Sequence, residues 1–149
     1  MRKGAVIEAT WEEFDLDKRV WTVPVARMKR KEWGDFRVPL NDASIAVLKH
    51  TPRVGPRPFP IADSAMPMLL RRRGLKAMVH GFRSSFPTWA AEETDTPDEI
   101  REASLGHFSG NRTAAVYQRG DLLARRRRLM DRWGQFCCPT GAEVVQLRA

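Results

Sequence analysis

Only two cysteines occur in the 149 residues, and they are neighbours, Cys137 and Cys138. Adjacent cysteines rarely staple a fold, and no CxxC or Cys/His spacing accompanies them, so neither a disulfide framework nor a zinc site is expected. No apolar run approaches the roughly 20 residues of a membrane span. The charged start Met1-Arg2-Lys3-Gly4 is followed by no long apolar segment of the kind a signal peptide carries. Acidic residues are outnumbered, 18 Asp and Glu against 26 Lys and Arg, for a formal net charge of +8. These shortages predict an intracellular, reduced, metal-free protein with a polyanionic partner, nucleic acid ahead of an anionic membrane. Tyrosine is scarcest of all: Tyr117 is the only one.

What is present is globular. Hydrophobic residues make up 42% and charged residues 30%, enough for a core in a single domain. No repeat or linker divides the chain. Residues 2–11 read as the end of a helix, with Val6, Ile7 and Trp11 on one face. Trp21, Val23 and Val25 alternate along one strand, Phe36, Val38 and Leu40 along a second, and 12–17 offers a short first strand. A basic hairpin loop, 27–35, joins the two longer strands. Pro24 and Pro39 argue for a small sheet made mostly of edges.

Helices account for most of the rest. Asn41 or Asp42 caps one running to about Leu48. Residues 51–60 hold four prolines and form an irregular connection, with a short strand around 59–61. Ser64 caps a helix over 65–73 with Met66, Leu69 and Leu70 inward; Arg71-Arg72-Arg73-Gly74 stops it. A helix over 81–92 carries Phe82, Phe86 and Trp89 on one face and Pro87 inside it. Thr96-Pro97-Asp98-Glu99 reads as a capping box for a helix ending near Leu105, with Gly106 as breaker. Residues 112–118 form a short helix bearing Tyr117. A last helix, about 120–136, stripes Leu122, Leu129, Trp133 and Phe136, with Arg125–Arg128 on its solvated side. The fold class is α+β, mainly α, with a small antiparallel sheet. Residues 1–138 form the domain and 139–149 a tail.

The chemistry concentrates in His80-Gly81-Phe82-Arg83, then Leu105-Gly106-His107, then Tyr117. A tyrosine oxygen can act as a nucleophile and form a covalent intermediate. An arginine fork holds two non-bridging phosphate oxygens. Histidines donate to phosphate or move protons near neutral pH. Two histidines and an arginine ahead of a lone tyrosine in a basic chain point to phosphodiester chemistry. His50 has no partner in view and reads as an exposed helix-end residue.

In order and spacing these pieces resemble the catalytic domain of tyrosine recombinases, the phage integrase family, nearest to the integrases of prophages and genomic islands of the phage P4 type. Met1-Arg2-Lys3-Gly4, Arg27-Met28-Lys29, Val38-Pro39-Leu40 and Tyr117-Gln118-Arg119-Gly120-Asp121 extend the match over roughly residues 1–138. The resemblance implies site-specific recombination, integration or excision, through a 3′-phosphotyrosyl intermediate. Tyr117 would be the nucleophile, with Arg2 and Arg83 on the non-bridging oxygens. Lys29 would protonate the leaving 5′ oxygen, His80 would assist proton transfer, and His107 would donate to the phosphate. It implies double-stranded DNA attachment sites as partner, a homo-oligomer (a tetramer) on DNA, and a location in the bacterial cytoplasm. It implies no cofactor, no metal, no membrane and no small-molecule substrate.

The match has departures. The acidic residue usual three positions after the first arginine is Ala5 here, and the longer hairpin makes Lys31 a competitor of Lys29. Upstream domains that the family usually carries do not precede Arg2 in this sequence. Two rival readings follow: a remnant that binds DNA or a sister subunit without turnover, and an enzyme that relaxes supercoils like a type IB topoisomerase.

Overall fold

The computed structural model describes residues 1–28, 34–107 and 122–139. These residues are mainly helical around one three-stranded antiparallel sheet, the α+β class expected. The strands are β1 (Phe14–Asp15), β2 (Val20–Val23) and β3 (Phe36–Pro39), in the order β1-β2-β3. Trp21 pairs with both Phe14 and Val38, and Val23 pairs with Phe36. The prolines explain the boundaries. Pro39 lies on edge strand β3, where a missing N–H costs nothing inward. Pro24 ends β2 two residues earlier than the alternation predicts, and Val25–Arg27 turns away as a 3-10 helix. The tip of the following loop, 29–33, is outside the described residues, as are the short helix expected over 112–118 and the tail from 140.

Two apolar clusters make the core. The first gathers Ala9, Trp21, Val23, Phe36, Leu40 and Leu48, with Phe14 stacked on Trp21 at 5.3 Å between ring centroids. The second gathers Phe86, Trp89, Ala90, Ile100 and Leu129, with Trp133 edge-on to Phe86 at 5.5 Å.

Helix α1 (Lys3–Ile7) is shorter than the 2–11 stretch predicts. The Thr10 backbone N–H donates to the Glu13 carboxylate at 3.2 Å, and a separate 3-10 turn, Trp11–Glu13, starts there. Helix α2 (Asp42–His50) is capped as expected: the Asn41 side chain accepts from Ser44 N at 2.9 Å. No strand forms at 59–61, where the proline-rich chain stays irregular.

Helix α3 (Ala65–Arg72) stops at Gly74, whose φ of +67° suits glycine. Ser64 makes no side-chain cap, and Leu69 is exposed rather than inward, because no described element covers that side of α3. Helix α4 (Gly81–Glu92) has the predicted bounds and runs past Pro87. Phe86 and Trp89 are buried, but Phe82, a turn nearer its start, is 54% exposed.

Helix α5 (Asp98–Ser104) begins differently from its sequence signal. The Pro97 carbonyl takes the first helical bonds, from Ile100 N at 2.9 Å and Arg101 N at 3.2 Å, so Thr96 does not cap it.

Helix α6 (Leu123–Cys137) packs on β3, α2, α4 and α5 and so joins the two clusters. Leu129 is buried in its stripe, while Phe136 is 58% exposed. The arginine run corrects the sequence reading. Arg126 is 1% exposed, with its guanidinium 4.5 Å from the centre of the Phe36 ring. Arg127 donates to the Lys18 and Arg19 carbonyls at 3.0 and 3.3 Å. Both arginines fasten α6 to the sheet, by a cation–π contact and by hydrogen bonds. Among the described residues no helix is long and apolar enough to cross a membrane.

Candidate phosphate-binding site

The site starts from the way α5 ends. Gly106 takes φ +72°, which lets the chain reverse over the last turn. Gly106 N donates to Ala103 O at 3.1 Å, and His107 N donates to Glu102 O at 2.9 Å. This pair of bonds is a Schellman motif: it satisfies two helix-end carbonyls and sets the sixth residue above the first. His107 is thereby placed over Glu102. Its Nδ1 lies 2.9 Å from Glu102 Oε2.

The same turn leaves the Leu105 carbonyl free of the helix ladder, and Arg83 takes it. Arg83 Nη2 donates to Leu105 O at 2.8 Å and lies 3.1 Å from His107 Nε2. Leu-Gly-His is therefore a docking turn for an arginine that enters from the first turn of α4. The two motifs, 24 residues apart, form one assembly.

Arg83 is half-buried. Burial first, and the Arg2 guanidinium second, hold its pKa below the ordinary value, with Glu102 pulling the other way. An arginine keeps its proton regardless. The physical content is that two positive charges share a partly dry site that would be relieved by an anion.

Two adjoining cavities of about 600 and 520 Å³ share Arg2 and Arg83 on their walls. His80 lines the larger and His107 the smaller. Arg2 and Arg83 thus stand between the two cavities, with His80 on one side and His107 on the other. Arg2 sits in extended backbone just before α1. Among the described residues none pairs with its guanidinium. His80 is exposed at the start of α4. His50 is an exposed helix-end residue, with Nδ1 2.7 Å from Ala46 O. Tyr117, Lys29 and Lys31 lie outside the described residues. Met28, next to Lys29, lines the smaller cavity.

Three further residues support the site without having been given a role by the sequence. Glu102 holds His107. Arg27 reaches the recess wall at the root of the hairpin, donating to Ala5 O at 3.0 Å and pairing with Glu13. Glu13 also accepts from Trp21 Nε1 at 2.9 Å. Burial pushes the Glu13 carboxyl up, but bonds from Arg27, Trp21 and Thr10 outweigh it, and its pKa falls below 4.5. An acid five residues before a histidine, with glycine between, is the signal that could have found Glu102.

The described residues thus form a mainly helical domain in which two arginines and two histidines line adjoining cavities. Comparison with known proteins carries this further. The chain is 35% identical over 148 residues to prophage integrase IntA of Escherichia coli K12, covering 91% of this chain and 35% of that protein. It is 27% identical over 164 residues to the integrase of Enterobacteria phage P4, covering 91% of this chain and 37% of that one. It is 24% identical over 140 residues to the integrase of Shigella phage Sf6, covering 85% and 36%. The chain belongs to the phage integrase family, and it spans about a third of the length of the curated relatives it matches. No family profile matches it, and no solved structure does.

Proposed function

We propose that this chain carries the phosphate-handling part of a site-specific DNA recombinase, and that it cleaves and rejoins DNA through a 3′-phosphotyrosyl link to Tyr117. The observation that carries the proposal is the Arg83 assembly, fixed by Leu105 O and His107 beside an Arg2 without a partner among the described residues. Arg2 and Arg83 would take the non-bridging oxygens of the scissile phosphate. Charge that grows on those oxygens would meet donors already in place, each worth on the order of 10²–10³-fold in rate. Tyr117 Oη attacks phosphorus; the bond to the 5′ oxygen breaks, and Lys29, or Lys31 beside it, returns a proton to that oxygen. His80 assists the proton leaving Tyr117, and His107 meets the phosphate. The link conserves the bond energy, so rejoining needs only a second 5′-hydroxyl. Duplex attachment sites and a tetramer on DNA belong to the same proposal.

A second reading is a DNA-binding remnant without turnover. Ala5 favours it, because no carboxylate among the described residues anchors Arg2. One experiment separates the two. The chain is incubated with nicked duplexes from the DNA flanking its coding sequence, and denaturation-resistant adducts are sought, with Tyr117→Phe in parallel. An adduct lost in the variant supports strand transfer. Salt-sensitive binding with no adduct, under conditions where a full-length relative forms one, refutes turnover and leaves the remnant.

A further inference from the structure

We propose that Glu102 is a positioning residue that fixes the tautomer and direction of the His107 ring. This rests on the reading of the recess as a phosphate site, but its geometry stands apart from that reading. A guanidinium has donors only, so an N–H of Arg83 that faces His107 Nε2 at 3.1 Å requires a lone pair on Nε2. A neutral imidazole with a lone pair on Nε2 carries its proton on Nδ1. That nitrogen is 2.9 Å from Glu102 Oε2, a carboxylate oxygen that only accepts. Both ends of the ring therefore demand the same tautomer. The hydrogen bonds run one way, from Arg83 to His107 to Glu102.

Glu102 holds His107 twice. Its backbone carbonyl accepts from His107 N at 2.9 Å, and its carboxylate faces the ring of the same residue. The first bond is set by Gly106 and would survive loss of the carboxylate; the second would not. Without the second, the ring could rotate about its own bonds and present either nitrogen to the recess. The ring is half exposed, at 49%, so packing does not hold it. With Glu102 in place, Nε2 is the atom offered to whatever enters beside Arg83. Here it accepts from Arg83. Once it has gained a proton it can donate to a phosphate oxygen, with the Glu102 carboxylate opposite the new charge. A carboxylate orienting a histidine this way fixes its tautomer and the direction of its ring.

The test reads the ring directly. Long-range proton–nitrogen spectra of the histidine-labelled chain report which nitrogen of His107 is protonated in the neutral state. The expected result is Nδ1–H in the parent, retained in Glu102→Gln, whose amide oxygen still accepts, and lost in Glu102→Ala. Alanine is a good helix former at this half-exposed position, so the fold is expected to hold. Nε2–H in the parent, or Nδ1–H unchanged in Glu102→Ala, overturns the proposal. Adduct formation on the nicked duplexes adds the functional arm: Glu102→Ala slows it on the order of 10-fold or more, and Glu102→Gln restores most of the rate. An unchanged rate in Glu102→Ala beside a lost tautomer refutes the positioning role. A parent that forms no adduct yet shows Nδ1–H refutes the strand-transfer reading while upholding the Glu102–His107 geometry.

Discussion

Gly134 sits inside α6, at the start of its last turn, where glycine is normally a weakness, and replacing it with alanine is predicted to weaken the protein. A Cβ at this position would lie 2.6 Å from Asn41 Nδ2, 2.7 Å from Asn41 Cγ and 3.1 Å from Asn41 Cβ. Helix propensity alone favours Gly134→Ala by about 1 kcal/mol. Against it stands a side chain that cannot swing away freely. Asn41 is 5% exposed, accepts from Ser44 N and Ser44 Oγ at 2.9 and 2.8 Å to cap α2, and donates from Nδ2 to Met130 O at 2.8 Å. Displacing it costs a cap of about 1 kcal/mol, plus about 1–3 kcal/mol for a buried amide left without its acceptor. The net expectation is destabilisation of about 1–3 kcal/mol, read as a lower midpoint in urea with an unchanged slope. The sign should invert when the obstacle is removed. In an Asn41→Gly background, where the cap loses only a few tenths of a kcal/mol, Gly134→Ala should stabilise by about 1 kcal/mol. A single Gly134→Ala variant as stable as the parent, or additivity across the cycle, would refute the argument that α6 approaches α2 through this glycine.

Gly106→Ala is expected to cost about 1–2 kcal/mol, because its φ of +72° is disfavoured for any residue with a Cβ. The added Cβ would make only ordinary contacts, with Met28 and Phe36 at 3.5–3.7 Å, so the cost is in the backbone. Because the same turn aims His107 and Leu105 O, the adduct formation proposed above should fall more than the melting temperature implies. For Glu13 the folded pKa is below its ordinary 4.5, so the unfolded chain binds the proton more readily. Its contribution is therefore present above about pH 4.5 and lost as pH falls through the folded value. Glu13→Gln should lower stability at neutral pH and flatten the acid limb of the stability profile; an acid limb identical to the parent's would show that the Arg27 and Trp21 bonds do not matter.

Local signals were legible where the answer is local. Asn41 caps α2 because its oxygen needs only a backbone N–H three residues on, and α4 keeps its predicted bounds. The sequence marked His80-Gly81-Phe82-Arg83 and Leu105-Gly106-His107 as separate pieces, and the structure joins them where Arg83 meets Leu105 O and His107. The failures have two causes, a local competitor or chain reversal at a helix end and a neighbour that lies far along the chain. Thr10 and Thr96 both precede an acid by three residues, yet only the first interacts with it. At the second, Pro97 supplies the carbonyl that starts the helix. The stripes containing Leu69, Phe82 and Phe136 are real, but spacing does not say which end a neighbour covers. A run of four arginines looks solvated until Phe36, ninety positions earlier, arrives beside Arg126. Glu102 was missed because only the reversal at Gly106 brings it under the histidine.

Arg126 also changes what the charge of this chain means. Affinity for a polyanion is driven largely by counterions released when surface cations neutralise phosphates. A guanidinium that is 1% exposed and stacked on a ring cannot meet a phosphate without dismantling the α6–sheet junction. Arg127 directs two of its donors at carbonyls of its own chain, and Arg27 faces a carboxylate. The slope of a DNA complex against the logarithm of salt concentration should therefore reflect fewer released ions than the 26 basic residues suggest. Part of the positive composition of this protein acts as mortar between α6 and the sheet, inaccessible to DNA.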